Sequence, residues 1–265
     1  QSPIPNPQSP IPNPQCYKYY HILFYIKLLY SNNFLLFNKM ERPAPYIHKT
    51  MRELCSELIS EKWIRTNKVY ESMLQVDRGD FAPKRPYQNS PQHIGYNVVI
   101  SAPLLHAYCL QVLEDYLIEG STVLDISFGS GYLTVAMSKM MNDKGCVIGI
   151  EHIKDLYDFG LYNINKHHKN LIENKTIELI LGDGRLGYKK KAPYKCIHVG
   201  AASRKIPDEL VEQLDFGGRL VMPLGPPDDQ YIYFKDLNGK INITRGLSVC
   251  YVPLTSAKNQ LNNIE

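Results

Sequence analysis

Residues 121–134 read STVLDISFGSGYLT, and the fold turns on how that stretch divides. Val123 to Ile126 form a short, β-rich apolar run, while apolar side chains recur at helical spacing from Leu133 onward. Between them lie Ser127, Phe128, Gly129, Ser130 and Gly131. A buried strand that passes through a glycine-bearing turn into a helix is the opening unit of a doubly wound α/β domain, and its turn faces a ligand.

The alternation continues C-terminally. Strand-like CVIGIE (146–151), IELILGD (177–183), YKCIHVG (194–200) and GRLVMPLG (218–225) alternate with helical LTVAMSKMM (133–141), IKDLYDFGLYNINKHH (153–168) and PDELVEQL (207–214). Parallel strands need crossovers and, when covered on both faces, read as unbroken apolar runs. The pattern predicts an α/β fold: a doubly wound, mostly parallel sheet with helices on both faces. QYIYFKDL (230–237) and INITRGLSVCYVPL (241–254), around Asn238-Gly239, predict an antiparallel hairpin at one edge. N-terminal helices are expected over MRELCSELISEKWI (51–64) and NKVYESMLQV (67–76), with Thr66 capping the second.

The 265 residues fit one main domain, and 30 Lys+Arg against 26 Asp+Glu leave a formal charge of +4, too mild to predict nucleic-acid or anionic-membrane binding. Six scattered cysteines, with no C-x-x-C and no zinc-ligand spacing to histidines, point to a reduced, metal-free, cytoplasmic protein. Residues 1–15 repeat QSPIPNP, and residues 16–37 are apolar but interrupted by Lys18, His21, Lys27, Asn32 and Asn33. Neither a membrane span nor a secretory signal is expected there. Residues 1–45 are read as an appendage, with Met40 a possible start, and residues 46–265 as the domain.

Ligands on such sheets bind at the carboxyl ends of strands, so Asp125–Gly131, Glu151-His152, Gly182–Arg185 and Gly200–Ala202 are the places to inspect. The first loop is not G-x-G-x-x-G, because Gly129-Ser130-Gly131 is followed by Tyr132-Leu133-Thr134, and no Gly-Lys-Ser/Thr is present. Acids stand at three strand ends instead. Asp125 suits a cationic group, Glu151 the two hydroxyls of a ribose, and Asp183 an adenine amino group. Amino-acid cation, ribose and adenine together describe S-adenosylmethionine.

The chain resembles the protein-L-isoaspartate O-methyltransferases, from about Leu54 to Gln260. The most specific part is PYQNSPQHIGYNVVISAPLLHAYCL (86–110), joined in order by VLDISFGSGYLT, GDGRLGY, APYKCIHVGAA, GGRLVMPLGP and YVPLT; the histidine in ISAPLLHA looks like the eukaryotic branch. The resemblance implies a Rossmann-like methyltransferase that uses S-adenosylmethionine to methylate the α-carboxylate of L-isoaspartyl residues in damaged proteins and peptides. The ester then cyclises to a succinimide that reopens partly to aspartate. By position, Ser101 matches the active-site serine, and Val98, Val99, Ile100 and His106 match cofactor-proximal positions. Ile126, Ser127, Phe128, Gly129 and Ser130 match the glycine-rich loop, Glu151 the ribose acid, and Asp183-Gly184 the adenine side; Asp125, Gly131 and His152, beside them at the strand ends, are cofactor-binding candidates too. Thr255 and Gln260 match positions that close over the cofactor. The expected protein is a monomer that binds neither metal nor nucleic acid.

Two departures stand out: Ser127 and Phe128 fill sites that are glycine and small in the family, and Val99 replaces a usual threonine. Serine is accommodated at 127 if its φ is negative, and Phe128 if it points away from the ligand. The alternative reading is a weak or inactive member that binds isoaspartyl peptides or a partner; a small-molecule or nucleic-acid methyltransferase ranks third. The chemistry asks little of acid–base groups, because a carboxylate with a pKa near 4 is already ionised and the donor is a sulfonium. Ser101 then serves to orient the carboxylate, although a serine ahead of Pro103 also reads as a helix cap.

Overall fold

The structure, a computed structural model, describes residues 48–237 and 241–262. The appendage at 1–45 and the Asn238-Gly239 turn lie outside the described residues. In chain order the elements are α1 (Met51–Ser60), α2 (Asn67–Leu74), β1 (Gln92–Gly95), β2 (Val98–Ile100), α3 (Pro103–Leu113), β3 (Thr122–Ile126), α4 (Tyr132–Met140) and β4 (Cys146–Glu151). Then follow α5 (Lys154–His167), α6 (Lys169–Glu173), β5 (Ile177–Leu181), β6 (Tyr194–Val199), α7 (Asp208–Glu212), β7 (Leu214–Leu224), β8 (Gln230–Leu237), β9 (Ile241–Val249) and α8 (Ala257–Asn262). Thr66 caps α2 as expected, its side chain accepting from the Val69 N–H, and Thr50 does the same for α1. The helix expected over 207–214 ends at Glu212, and Leu214 already opens β7, where its partner is Tyr194.

Among the described residues, seven strands form one sheet in the order β5-β4-β3-β6-β7-β8-β9. The first five run parallel, and β8 and β9 add antiparallel at one edge, as the apolar runs and the closing hairpin pattern predict. The strand order reverses between β3 and β6, which places a crevice at their carboxyl ends. Strand alternation splits the core in two. Val123, Val147, Ile177 and Cys196 face the side covered by α1 to α6, with Leu54, Val69, Leu110, Val135 and Ile164. Leu124, Ile126, Ile148, Ile150, Ile197 and Val199 face the side where α7 contributes Leu210.

One polar cluster interrupts the first core. Asp125, 1% exposed, accepts from the Thr134 hydroxyl at 2.6 Å and pairs with His198 Nδ1 at 2.8 Å. Burial, the largest single influence, lowers the His198 pKa, but the hydrogen bonds and charges of Asp125 and Cys109 together exceed it and lift it to about 10. Nearby His106 is pushed well below its ordinary value by burial and then by the charges of Arg78 and His198. The two histidines act on stability with opposite sign. His198, raised on folding, contributes stability that is complete below its unfolded pKa of about 6.5 and is lost as pH climbs toward 10. His106, depressed on folding, contributes stability that is present above about 6.5 and lost as pH falls. Urea unfolding across pH should therefore peak near neutrality, and His198→Gln should flatten the alkaline limb; an unchanged alkaline slope in the variant would remove His198 as its cause. Thr134→Val, which strips a donor from a buried carboxylate, should cost about 1–3 kcal/mol.

Candidate functional site

The turn after β3 reverses the chain in five residues. It does so with three left-handed positions: Ser127 (φ 61°), Gly129 (φ 52°) and Gly131 (φ 86°). The two glycines take this region without strain, while an L-residue costs about 1–2 kcal/mol there. Ser127 thus does not meet the negative-φ condition under which a serine fits freely. It is held by its surroundings: the N–H groups of Ser127 and Phe128 both donate to the Ile150 carbonyl, at 2.8 and 3.3 Å. On the other side, Gly200 donates to the Ile126 carbonyl, and a Cβ on Gly200 would come within 3.0 Å of the Ser127 oxygen.

Phe128 turns into the core beneath α5, where it is 6% exposed and its ring lies 5.9 Å from that of Tyr157. The room comes from two other glycines. A Cβ on Gly160 would approach the ring to 2.5 Å, and one on Gly149 to 3.0 Å. The phenylalanine is thereby packed away by Gly149 and Gly160, and the main chain of Gly129 remains the loop's inner surface.

Glu151, at the end of β4, ties this loop to the second strand. Its Oε2 accepts from the Gly129 N–H at 3.2 Å, while Oε1 accepts from the N–H groups of His152 (2.8 Å) and Ile153 (3.1 Å). Only 3% exposed, its carboxyl is pushed up by burial against the opposing pull of those donors and of His152. Next to it, His152 Nε2 lies 2.6 Å from Gln260 Oε1 on α8, and the Gln260 amide donates to the Tyr96 carbonyl at 3.2 Å. Gln260 thus joins the end of β4 to the turn between β1 and β2. Thr255 precedes α8 on a segment fixed to the end of β6, where Ala202 donates to the Val252 carbonyl and Leu254 to that of Ala202. Its hydroxyl accepts from Asn259 at 3.4 Å.

The β1–β2 hairpin roofs the loop. A Cβ on Gly129 would lie 3.2 Å from Ile94, and the Tyr96 hydroxyl donates to Asp155 at the start of α5. Val98, Val99 and Ile100 form β2 itself, with Val99 opposite His93. The signal for this hairpin was Gly95-Tyr96-Asn97, a turn-forming run whose three residues all take positive φ. At the third strand end, Asp183 accepts from Arg185 at its backbone and guanidinium, with contacts of 2.5–3.1 Å, and its pKa is held down by that partner. Gly184 approaches Ile126 so closely that a Cβ would meet it at 2.3 Å. Leu181 and Leu186, on either side of Asp183, are exposed.

The sequence-derived residues fall into two groups. Ile126 to Gly131, Glu151, His152, Asp183, Gly184 and Gln260 gather at the ends of β3, β4 and β5, with Ser130 buried at the start of α4. Ser101 and His106 form a second group with Arg78, while Asp125 lies between, both oxygens taken by Thr134 and His198. Ser101 is not the cap of α3: that position is Ala102, without a side-chain bond, and Asn89 instead accepts from the Leu104 N–H at 3.1 Å. Asn89, Arg78 and Tyr96 went unread in the sequence.

The first group fits an amino-acid nucleoside better than a dinucleotide. It offers a buried carboxylate acceptor and exposed leucine faces, while most loop N–H groups are taken within the protein and no lysine stands on the loop to meet a pyrophosphate. Its two unusual residues should behave oppositely. Ser127→Gly should raise stability by about 1 kcal/mol by relieving a left-handed L-residue, whereas Phe128→Ala should lose about 3 kcal/mol by emptying a packed site. Thermal and urea unfolding of the two variants separate these outcomes, and a stabilising Phe128→Ala would refute the packing described.

Residues 49–259 match the profile of the family described as Protein-L-isoaspartate(D-aspartate) O-methyltransferase (PCMT). A Caenorhabditis elegans protein-L-isoaspartate O-methyltransferase is 44% identical over 215 residues, covering 80% of this chain and 96% of the relative. Protein-L-isoaspartate O-methyltransferase 1 of Arabidopsis thaliana is 43% identical over 202 residues, covering 75% and 88%. Among solved structures, a Plasmodium falciparum chain described as a protein-L-isoaspartate O-methyltransferase, in complex with S-adenosyl-L-homocysteine, superposes with a TM-score of 0.75 at 33% identity, covering 78% of this chain and 99% of its own. On sequence and fold together, the chain belongs to the protein-L-isoaspartate(D-aspartate) O-methyltransferase family.

Proposed function

We propose that this chain transfers a methyl group from S-adenosylmethionine to the α-carboxylate of L-isoaspartyl residues in damaged proteins and peptides. The observation that carries the reading is the roofed loop: Gly129, clamped from below by Glu151, lies under Ile94 of the 86–110 segment by which the family is distinguished. When bound, S-adenosylmethionine supplies an electrophilic methyl group on a sulfonium.

The protein's part is placement and exclusion of water. Glu151 holds the loop through Gly129, and its Oε2 is the acceptor available to a ribose hydroxyl. Asp183, already fixed by Arg185, and the exposed Leu181 and Leu186 border the adenine side. Gln260 bridges His152 to Tyr96 and closes the entrance, with Thr255 on the same C-terminal segment. Asp125 acts through the turn it precedes, its own oxygens being taken by Thr134 and His198. Ser101 offers a hydroxyl to orient the substrate carboxylate, which needs no general base because it is ionised at neutral pH. Val99 brings no hydroxyl to β2, so that task falls to Ser101 alone of the two positions. The substrate groove is read as built from the 86–103 segment and the C-terminal YVPLT region, which meets the end of β6 through Ala202.

No helix among the described residues is long and apolar enough to cross a membrane. Cys55, Cys109, Cys146 and Cys196 are free thiols, which supports the reading of a reducing, cytoplasmic compartment. A monomer acting without metal or nucleic acid completes the proposal.

Paired peptides differing only in Asp versus isoAsp, incubated with methyl-labelled S-adenosylmethionine, should yield base-labile label on the isoAsp peptide alone. Ser101→Ala should lower kcat about 10- to 100-fold, the equivalent of one oriented hydrogen bond in the transition state. Cofactor binding without label on either peptide would favour the inactive binding module instead.

A further inference from the structure

Arg78 is the largest fully buried side chain of the described residues, at 0% exposed. It stands in a short 3-10 turn, Arg78–Asp80, that follows α2. Taking a guanidinium out of water costs several kcal/mol unless its hydrogen bonds are well met. Here its partners are neutral. Nη2 donates to the Ser101 carbonyl at 2.7 Å and Nη1 to His106 Nδ1 at 3.2 Å, while the guanidinium carbon lies 5.7 Å from the centre of the Tyr132 ring. Nε has no partner among the described residues. Because a guanidinium only donates, His106 Nδ1 must accept, which leaves the proton of the neutral ring on Nε2. That ring stacks on Tyr132 at 4.8 Å, so the fork's second arm is itself fixed.

Ser101 needs such a hold. It lies between the end of β2 and the start of α3, where Pro103 has no N–H and the helix takes its first bonds from the Ala102 carbonyl, which accepts from Leu105 and His106. The Ser101 carbonyl is outside that ladder, and the bond from Arg78 sets the plane of the 101–102 peptide. A second hold comes from the opposite end of the chain. The Tyr251 hydroxyl lies beside the Ser101 side chain. Tyr251 is itself gripped by buried Gln230, whose Oε1 accepts its N–H at 2.6 Å and whose amide donates to its carbonyl at 3.3 Å.

We propose that Arg78 and Tyr251 are positioning residues for methyl transfer: Arg78 fixes the backbone of Ser101, and Tyr251, clamped by Gln230 beside the Ser101 side chain, limits the directions its hydroxyl can take toward the substrate carboxylate. The proposal rests on the reading of Ser101 as the orienting group. An apolar side chain would fill the volume of Arg78 at lower desolvation cost, but it would leave the 101–102 peptide unheld.

The test is a pair of double-mutant cycles on the full chain, Arg78→Lys with Ser101→Ala and Tyr251→Phe with Ser101→Ala, reading kcat, the KM for an isoAsp peptide and the affinity for S-adenosylhomocysteine. Lysine keeps the charge but cannot supply the rigid fork. Each single variant should lose about tenfold or more in kcat with cofactor affinity within about threefold, and each double should be no slower than Ser101→Ala alone, since both residues act through that hydroxyl. Losses that multiply in the doubles would overturn the proposal while leaving the Ser101 reading intact. A Ser101→Ala variant of full activity would overturn both. Tyr251→Phe retains the ring and the Gln230 clamp, so its cycle decides the matter even where Arg78→Lys fails to fold, with multiplied losses counting against the proposal as before.

Discussion

The ligand end of the sheet depends on one tight reversal, Ser127 to Gly131, in which three residues must be left-handed for β3 to hand over to α4. Such a turn is not stable by itself, least of all with a serine at its first left-handed position. It is pinned by neighbours on both sides of the switch point: the Ile150 carbonyl and the Glu151 carboxylate from β4, and Gly200 from the end of β6. The parallel pairing of β4, β3 and β6 therefore does more than build a core. It sets the height at which the loop's main chain faces the crevice.

A second layer hangs on this one through a buried polar chain. Thr134 from α4 and His198 from β6 grip Asp125, the residue two before Ser127, and the field of His198 reaches His106, which in turn meets Arg78 beneath Ser101. Burying these groups is costly, and their hydrogen bonds return stability only while every member is in place. These groups stand between the loop and Ser101. The two halves of the site are thus built on neighbouring hydrogen-bonded clusters that the charge of His198 couples.

The parallel strands are legible in the sequence because strands covered on both faces appear as unbroken apolar runs: CVIGIE is β4 residue for residue. The three strand-end acids are legible for the same reason, since they interrupt or end those runs. Other features are hidden because tertiary contacts create them. Nothing local marks the serine at 127 as left-handed, and Phe128 looks obstructive until Gly149 and Gly160, 21 and 32 residues on, are seen to make its space. Arg78 reads as a surface turn residue in VDRGDF, since its burial comes from α3 and α4 folding over it. The family resemblance singles out Ser101, but only the chain's path past Asn89 and Arg78 shows that its hydroxyl is not spent as a helix cap.

On the reading proposed above, the Ser127-Phe128 loop remains a cofactor loop, with the bulky ring stowed beneath α5 and Gly129 held by Glu151. Calorimetric titration of the folded full chain with S-adenosylhomocysteine tests it most directly, with Glu151→Gln measured beside it. Saturable one-to-one binding to the natural chain is expected, weakened about tenfold in the variant by loss of one charged hydrogen bond worth about 1.4 kcal/mol. A folded protein that gives no saturable heat, or a variant that binds as tightly as the natural chain, would contradict it.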